Sequence, residues 1–377
     1  MSVRQAIELP AGVRRELVPL TAQDGAAIDG ALHLPAGASP RTGLVFLHPS
    51  VSFLEHYALA PLAELGFAAL GLNSRFAGNE GAVLLEQCVL DLAAGVAHLR
   101  ERGCERVVLV GNSGGGALSA LYQAQAEHPT ITSTPGGLPV DLTRAALPRA
   151  DALIVLNAHR GRAQVLTEWM DPAVVAEDDL VATDPDLDLF GGIVHPPFAA
   201  AFLERYRAAQ VARNRRITAW ARAQLEDLAG REVRDRAFVV QRTAADPRFL
   251  DLALDRSERA TGTYSGPDVR AANYAARGLA RFTSVQSWLS VWALDETHGV
   301  GEACLANTSV PLLCVQGTAD QGIYPSDARA WVEAARVEDV TLHWIAGGTH
   351  YFLDQPAQQR EVFERIVGWL AARGLSG

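Results

Sequence analysis

Arg106-Val-Val-Leu-Val-Gly111-Asn112-Ser113-Gly114-Gly115-Gly116 is the stretch on which the fold turns. Its apolar, valine-rich start predicts a short buried strand, which runs through G-x-S-x-G into a segment that reads as a helix from Gly114 to His128-Pro129. A serine between a strand and a helix sits in a sharp turn, so Gly111 and Gly115 are needed to let the two backbones come close. The helix then aims unpaired N–H groups and its positive dipole end at Ser113, favouring negative charge on a bound oxygen. The pattern predicts an exposed nucleophilic serine; the competing reading is a glycine-rich turn that binds phosphate or merely packs.

Working outward, Leu44-Val45-Phe46-Leu47, Phe67–Leu72, Val107–Val110 and Ala152–Leu156 read as buried strands, and Phe53–Leu65 and Val83–Arg100 as the helices between them. Continuous apolar strands alternating with amphipathic segments imply a parallel sheet of βαβ units. Before them, Arg14–Leu20 and Ala26–Leu34 alternate around Asp24-Gly25 and predict an antiparallel hairpin at the edge. The rhythm resumes at Pro311–Gln316, a helix near Ser326–Arg336, a strand at Val340–Ile345 and a closing helix over Pro356–Arg373. Between them strand signals nearly vanish, and Phe198–Leu228 and Ala271–Leu294 read as helices. The expected organisation is a core of residues 1–158 and 302–377 interrupted by a mainly helical cap over 159–301.

Composition narrows the function. The 377 residues carry 43 Asp and Glu against 33 Lys and Arg, a net charge of −10, with 49% hydrophobic and 20% charged residues, as in a soluble globular protein. All the basic residues are arginine, which excludes P-loop, Schiff-base and Ser–Lys chemistry. An acidic chain without a basic run is a poor nucleic-acid partner. Cys88, Cys104, Cys304 and Cys314 stand far apart, so neither a zinc site nor a redox motif is indicated, and they read as small buried apolar residues. Met1–Leu20 has no apolar signal region, and no apolar string approaches the ~20 residues of a membrane span. The expectation is a cytoplasmic protein using no metal or organic cofactor; a homodimer stays open.

A serine hydroxyl needs a base in hydrogen-bond reach and a carboxylate to orient that base. Gly317-Thr-Ala-Asp320 puts an acid just past one predicted strand, and Gly347-Gly-Thr-His350 puts a histidine past the next, both at the sheet edge where Ser113 lies. His343 falls inside its strand, His98 and His128 belong to helices, and His159, His195 and His298 belong to the cap, where they could touch substrate. Asp327 and Asp354 stand further from strand ends than Asp320. For an oxyanion, the Gly114 N–H is one expected donor and the loop Leu47-His48-Pro49-Ser50-Val51 the source of the other. Pro49 has no N–H, so Ser50 or Val51 must donate, with Val51 also placed against substrate and His48 bracing the loop.

These residues, Gly111-Asn-Ser113-Gly-Gly115, Gly317-Thr-Ala-Asp320, Gly348-Thr-His350 and His48-Pro-Ser50, resemble the α/β-hydrolase superfamily across residues 14–158 and 305–373. The resemblance implies Ser113 as nucleophile, His350 as general base and then acid, Asp320 as orienter, and Gly114 and Ser50 N–H groups as oxyanion hole. The departure is Pro49 where the family commonly has glycine. The implied activity is carboxylic ester hydrolysis through an acyl-enzyme on a small-molecule substrate. The alternatives are the same triad on a thioester, amide, lactone or C–C bond, and a non-catalytic small-molecule binder.

The cap should hold specificity. Trp288 and Trp292, at i and i+4 on a predicted helix face, are candidates to line the substrate pocket, as against simply packing cap on core. Arg213-Asn-Arg215-Arg216 reads as a solvated helix face rather than an anion clamp. Asp184, Asp186 and Asp188 lack the glycine and terminal glutamate of a calcium loop and read as a capped turn.

Overall fold

The computed structural model describes residues 9–377, so the part of the N-terminal reading that rests on residues 1–8 lies outside the described residues. β1 (Val13–Thr21) and β2 (Ala27–Pro35) form the expected antiparallel hairpin, turned at Gly25 with φ +88°. The remaining strands are β3 (Thr42–His48), β4 (Ala68–Asn73), β5 (Arg106–Asn112), β6 (Ala152–Leu156), β7 (Ala237–Val239), β8 (Phe282–Ser284), β9 (Leu312–Gly317) and β10 (Val340–Ile345). Eight of them make one sheet in the order β1-β2-β4-β3-β5-β6-β9-β10, parallel from β4 to β10. The pair β7–β8 stands apart as a small antiparallel ribbon.

The helices in chain order are α1 (Leu59–Glu64), α2 (Leu85–Glu101), α3 (Gly115–Glu127), α4 (Arg162–Trp169), α5 (Ala200–Ala229), α6 (Val269–Tyr274), α7 (Val285–Ser287), α8 (Gly301–Leu305), α9 (Pro325–Ala334) and α10 (Pro356–Ala371). Strand side chains alternate between two apolar layers. Val107 and Leu109 of β5 pack in the layer with α2, α3 and Trp331 of α9, whereas Val108 and Val110 pack with Leu59 and Leu62 of α1 and Ile366 and Trp369 of α10. Cover on both faces is why these strands read as continuous apolar runs.

The chain leaves β3 through α1 toward β4 and leaves β5 through α3 toward β6, in opposite directions along the sheet and on opposite faces. A crevice must open between the carboxyl ends of β3 and β5, where such sheets place ligands. The elbow after β5 and the His48–Val51 loop after β3 face each other across it.

The segment between β6 and β9 departs from the expected run of helices. Phe198–Leu228 appears as α5, but Ala271–Leu294 is broken into α6, the strand β8 and the single turn α7, which widens into a π-helical turn over Trp288–Trp292. Gly278 and the positive φ of Ala280 interrupt the helix, and the Ser284 side chain caps its restart by accepting from the Ser287 N–H. The segment is not a detachable lobe: Ile217, Ala221, Val240, Val285 and Trp288 share one apolar cluster with the sheet.

Candidate active site

Ser113 sits at φ +54°, a left-handed value that a non-glycine residue rarely takes, in the turn between β5 and α3. Its N–H reaches the carbonyls of Leu156 and Asn157, each at 3.2 Å. The adjacent Asn112 is pinned through Oδ1 to His56 Nε2 at 2.9 Å and through Nδ2 to the Leu156 carbonyl at 2.7 Å. The glycines meet the contacts expected of them: a Cβ on Gly111 would lie 2.5 Å from Gly116 Cα, and one on Gly115 would lie 2.4 Å from the Leu47 carbonyl oxygen.

The loops after β9 and β10 bring Asp320 and His350 to this serine. Ser113 Oγ lies 3.0 Å from His350 Nε2, and His350 Nδ1 lies 2.8 Å from Asp320 Oδ2. Buried Asp320 is itself held by the Gly322 and Ile323 N–H groups, which donate to Oδ1 at 2.8 and 3.0 Å. An Nδ1–H bonded to a carboxylate leaves Nε2 as the acceptor for the serine hydroxyl. The sequence reading did not find Asn157, the residue that ties these loops together. Its amide donates to the Thr349 and His350 carbonyls at 3.0 and 2.8 Å, and its Oδ1 accepts from the Gly317 N–H at 2.7 Å. It follows β6 at φ +42°, and an asparagine at a strand end was the one available hint.

On the opposite wall, the Gly114 N–H has no hydrogen-bond partner among the described residues. Ser50 does not match its expected role. Its N–H and that of Val51 both turn inward and donate to His48 Nδ1, at 3.1 and 2.9 Å, because Pro49 bends the loop back over the imidazole. Burial, with Arg162 next in weight, holds His48 well below the ordinary histidine pKa, so the ring is neutral.

No protein-family model matches the chain, and no curated protein matches it by sequence. Solved structures do match over nearly their whole length. Hypothetical protein PA2218 from Pseudomonas aeruginosa aligns with a TM-score of 0.55 and 13% identity, covering 99% of each chain. The alpha/beta hydrolase GrgF from Penicillium sp. sh18 aligns at 0.53 and 14%, covering 95% of this chain and 98% of that one. DcsB, solved in complex with its substrate analogue, aligns at 0.53 and 16%, covering 95% and 99%. The chain has the α/β-hydrolase fold.

In this α/β-hydrolase fold the cleft beside Ser113 measures about 150 Å³. Val51 lines it as expected, together with Tyr351, and the inserted segment contributes His159, Trp169 and Tyr264. Arg162 lies there too, its guanidinium 4.4 Å over the Trp292 ring and its Nη2 bonded to Glu80. Trp288 and Trp292 do not line the cleft. Both are fully buried in the apolar cluster, Trp288 with its indole N–H on Thr218 Oγ1 at 2.9 Å, because the π-helical turn rotates them into the body of the protein. Of the histidines noted between β6 and β9, only His159 reaches the cleft; the His298 ring bonds buried Glu86 instead.

The arginine run also divides. Arg215 is exposed and paired with Asp295, but Arg213 is fully buried and donates to the Asp171 and Gln241 carbonyls and to Glu177. Asp184 and Asp188 cap their own turn by accepting from the N–H groups of Asp186 and Phe190. The four cysteines are buried and unpaired. Among the described residues no cluster of His, Cys, Asp and Glu could hold a metal, and no helix is long and apolar enough to cross a membrane.

Proposed function

We propose that the protein is a serine hydrolase of small carboxylic esters, with Ser113, His350 and Asp320 as its catalytic triad. The observation that carries this reading is the unbroken relay from Asp320 through His350 to a strained Ser113, at 2.8 and 3.0 Å. Ser113 Oγ attacks the ester carbonyl while His350 Nε2 takes its proton, and the oxyanion forms beside the unpartnered Gly114 N–H. His350 then protonates the leaving alcohol, and a water deprotonated by His350 releases the acid from the acyl-enzyme. Asp320 stabilises the imidazolium at both steps.

A cleft of about 150 Å³ is the size of a cavity that takes a single benzene ring, which favours short acyl groups over long ones. Residues 159–301 act in this reading as a cap that sets the acyl limit through Trp169 and Tyr264. Unpaired buried cysteines are in keeping with work in the cytoplasm.

The test is turnover of p-nitrophenyl esters from acetate to decanoate by wild type, Ser113→Ala and His350→Ala, with fluorophosphonate labelling alongside. Turnover of short esters that collapses in both folded variants supports the proposal. Labelling at Ser113 without ester turnover moves the scissile bond to a thioester, amide, lactone or C–C bond. Neither labelling nor turnover in folded protein overturns it in favour of a small-molecule binder.

A further inference from the structure

The oxyanion wall lacks its expected second donor. Ser50 and Val51 spend their N–H groups on His48 Nδ1, and Pro49 has none. What remains on that wall is the other edge of the same imidazole. Because Nδ1 accepts two backbone N–H bonds it carries no proton, so the proton of a neutral ring sits on Nε2. That nitrogen has no partner among the described residues, and His48 lines the cleft with Ser113. It hangs over the residue that follows Ser113 in the elbow turn: a Cβ added to Gly114 would lie 2.7 Å from His48 Nε2 and 3.0 Å from Arg162 Nη1.

Resting on the serine-hydrolase reading above, we propose that the Nε2–H of His48, together with the Gly114 N–H, holds the oxyanion of the tetrahedral intermediate. As Ser113 Oγ bonds to the carbonyl carbon, the C=O π pair moves onto oxygen, and that oxygen accepts from both N–H groups. No proton leaves His48. An acceptor-locked neutral ring suits this role, since a fixed dipole needs no reorganisation when charge appears. Neutrality is enforced twice, by burial and by the neighbouring Arg162 guanidinium, which also adds positive potential at the oxygen. The two backbone N–H groups thus act through the ring: they polarise the imidazole toward Nε2 instead of touching substrate.

His48→Asn separates the two edges of the ring. Its amide oxygen can replace Nδ1 as acceptor for Ser50 and Val51, but nothing replaces the Nε2 donor. The expected result is a fall of about 10²–10³-fold in kcat on p-nitrophenyl acetate, with KM little changed and an equal loss of affinity for an aryl trifluoromethyl ketone, which forms the tetrahedral adduct. His48→Asn with wild-type kcat and ketone affinity would show His48 to be a loop brace and overturn the inference. Should that variant not fold, ¹⁵N NMR of the wild type decides. A His48 ring protonated at Nε2, whose proton signal moves on ketone addition, supports the inference; an Nδ1–H ring, or no response to the adduct, overturns it. Ser113→Ala run in parallel keeps the two readings apart. Turnover that survives Ser113→Ala overturns the serine-hydrolase reading and this inference with it, whereas Ser113-dependent turnover indifferent to His48→Asn overturns this inference alone.

Discussion

Ser113 is held at φ +54° by neighbours with no room to spare, and that backbone angle presents Oγ to His350. The strain persists because the glycines around it admit no side chain. Gly115→Ala would press a methyl group onto the Leu47 carbonyl, a backbone atom of the neighbouring strand that cannot step aside. Loss of about 1–3 kcal/mol or more is expected, read as a lower urea midpoint with unchanged slope. Asp320 can be tested without a change of shape. Asp320→Asn should keep the fold and the Gly322 and Ile323 bonds to Oδ1 but favour the wrong His350 tautomer, lowering kcat about 10⁴-fold, which stopped-flow acylation would measure.

Elements bring together what residues alone could not. The elbow, the β9 loop and the β10 loop meet at Asn157, whose single amide binds the carbonyls of Thr349 and His350 and the N–H of Gly317. Asn157→Ala leaves the His350 carbonyl and the Gly317 N–H unpaired, at about 1–3 kcal/mol each, while the Thr349 carbonyl keeps its bond from the Phe352 N–H. The larger effect belongs to His350: kcat should fall by up to about 10²-fold as the imidazole drifts from Ser113, while KM stays near wild type. Equal changes in both constants would argue against this positioning role. Tyr264, carried by a loop of the inserted segment, is half exposed and forms one wall of the cleft. Tyr264→Ala should shift the chain-length optimum toward longer acyl groups at little cost in stability, seen as a rising ratio of octanoate to butyrate turnover. The strands and flanking helices were legible because the alternation of apolar runs is local, and Ser113, Asp320 and His350 because each follows a strand. Tyr264 and Trp169 were not legible: they stand in short or irregular elements whose direction depends on how the segment docks.

The whole molecule carries buried neutral histidines near the site. Burial, with Arg162 next in weight, lowers His159 from 6.5 to about 3, and burial, partly offset by the bond to Asn112, lowers His56 to about 4. Between these values and 6.5 the unfolded chain binds protons that the folded chain refuses, so stability is fully present above pH 6.5 and is lost as pH falls below it. Each such histidine adds up to about 1.4 kcal/mol per pH unit to that slope. Urea unfolding at pH 7.5 and 5.5 should show the loss, and His56→Gln should flatten the slope even where it lowers the absolute stability.

The sequence by itself determined the hairpin, the parallel sheet, the elbow with Ser113 and the two loop residues, Asp320 and His350, that converge on it, because strand period, glycine sterics and proline stops act over a few neighbouring residues. Tertiary structure alone decided that Trp288 and Trp292 are packing residues, that Arg213 is a buried donor, and that the Ser50 and Val51 N–H groups face His48. Those outcomes depend on which groups are left to satisfy one another once distant segments meet, and a hydrogen bond between a loop N–H and a ring nitrogen leaves no period in the chain.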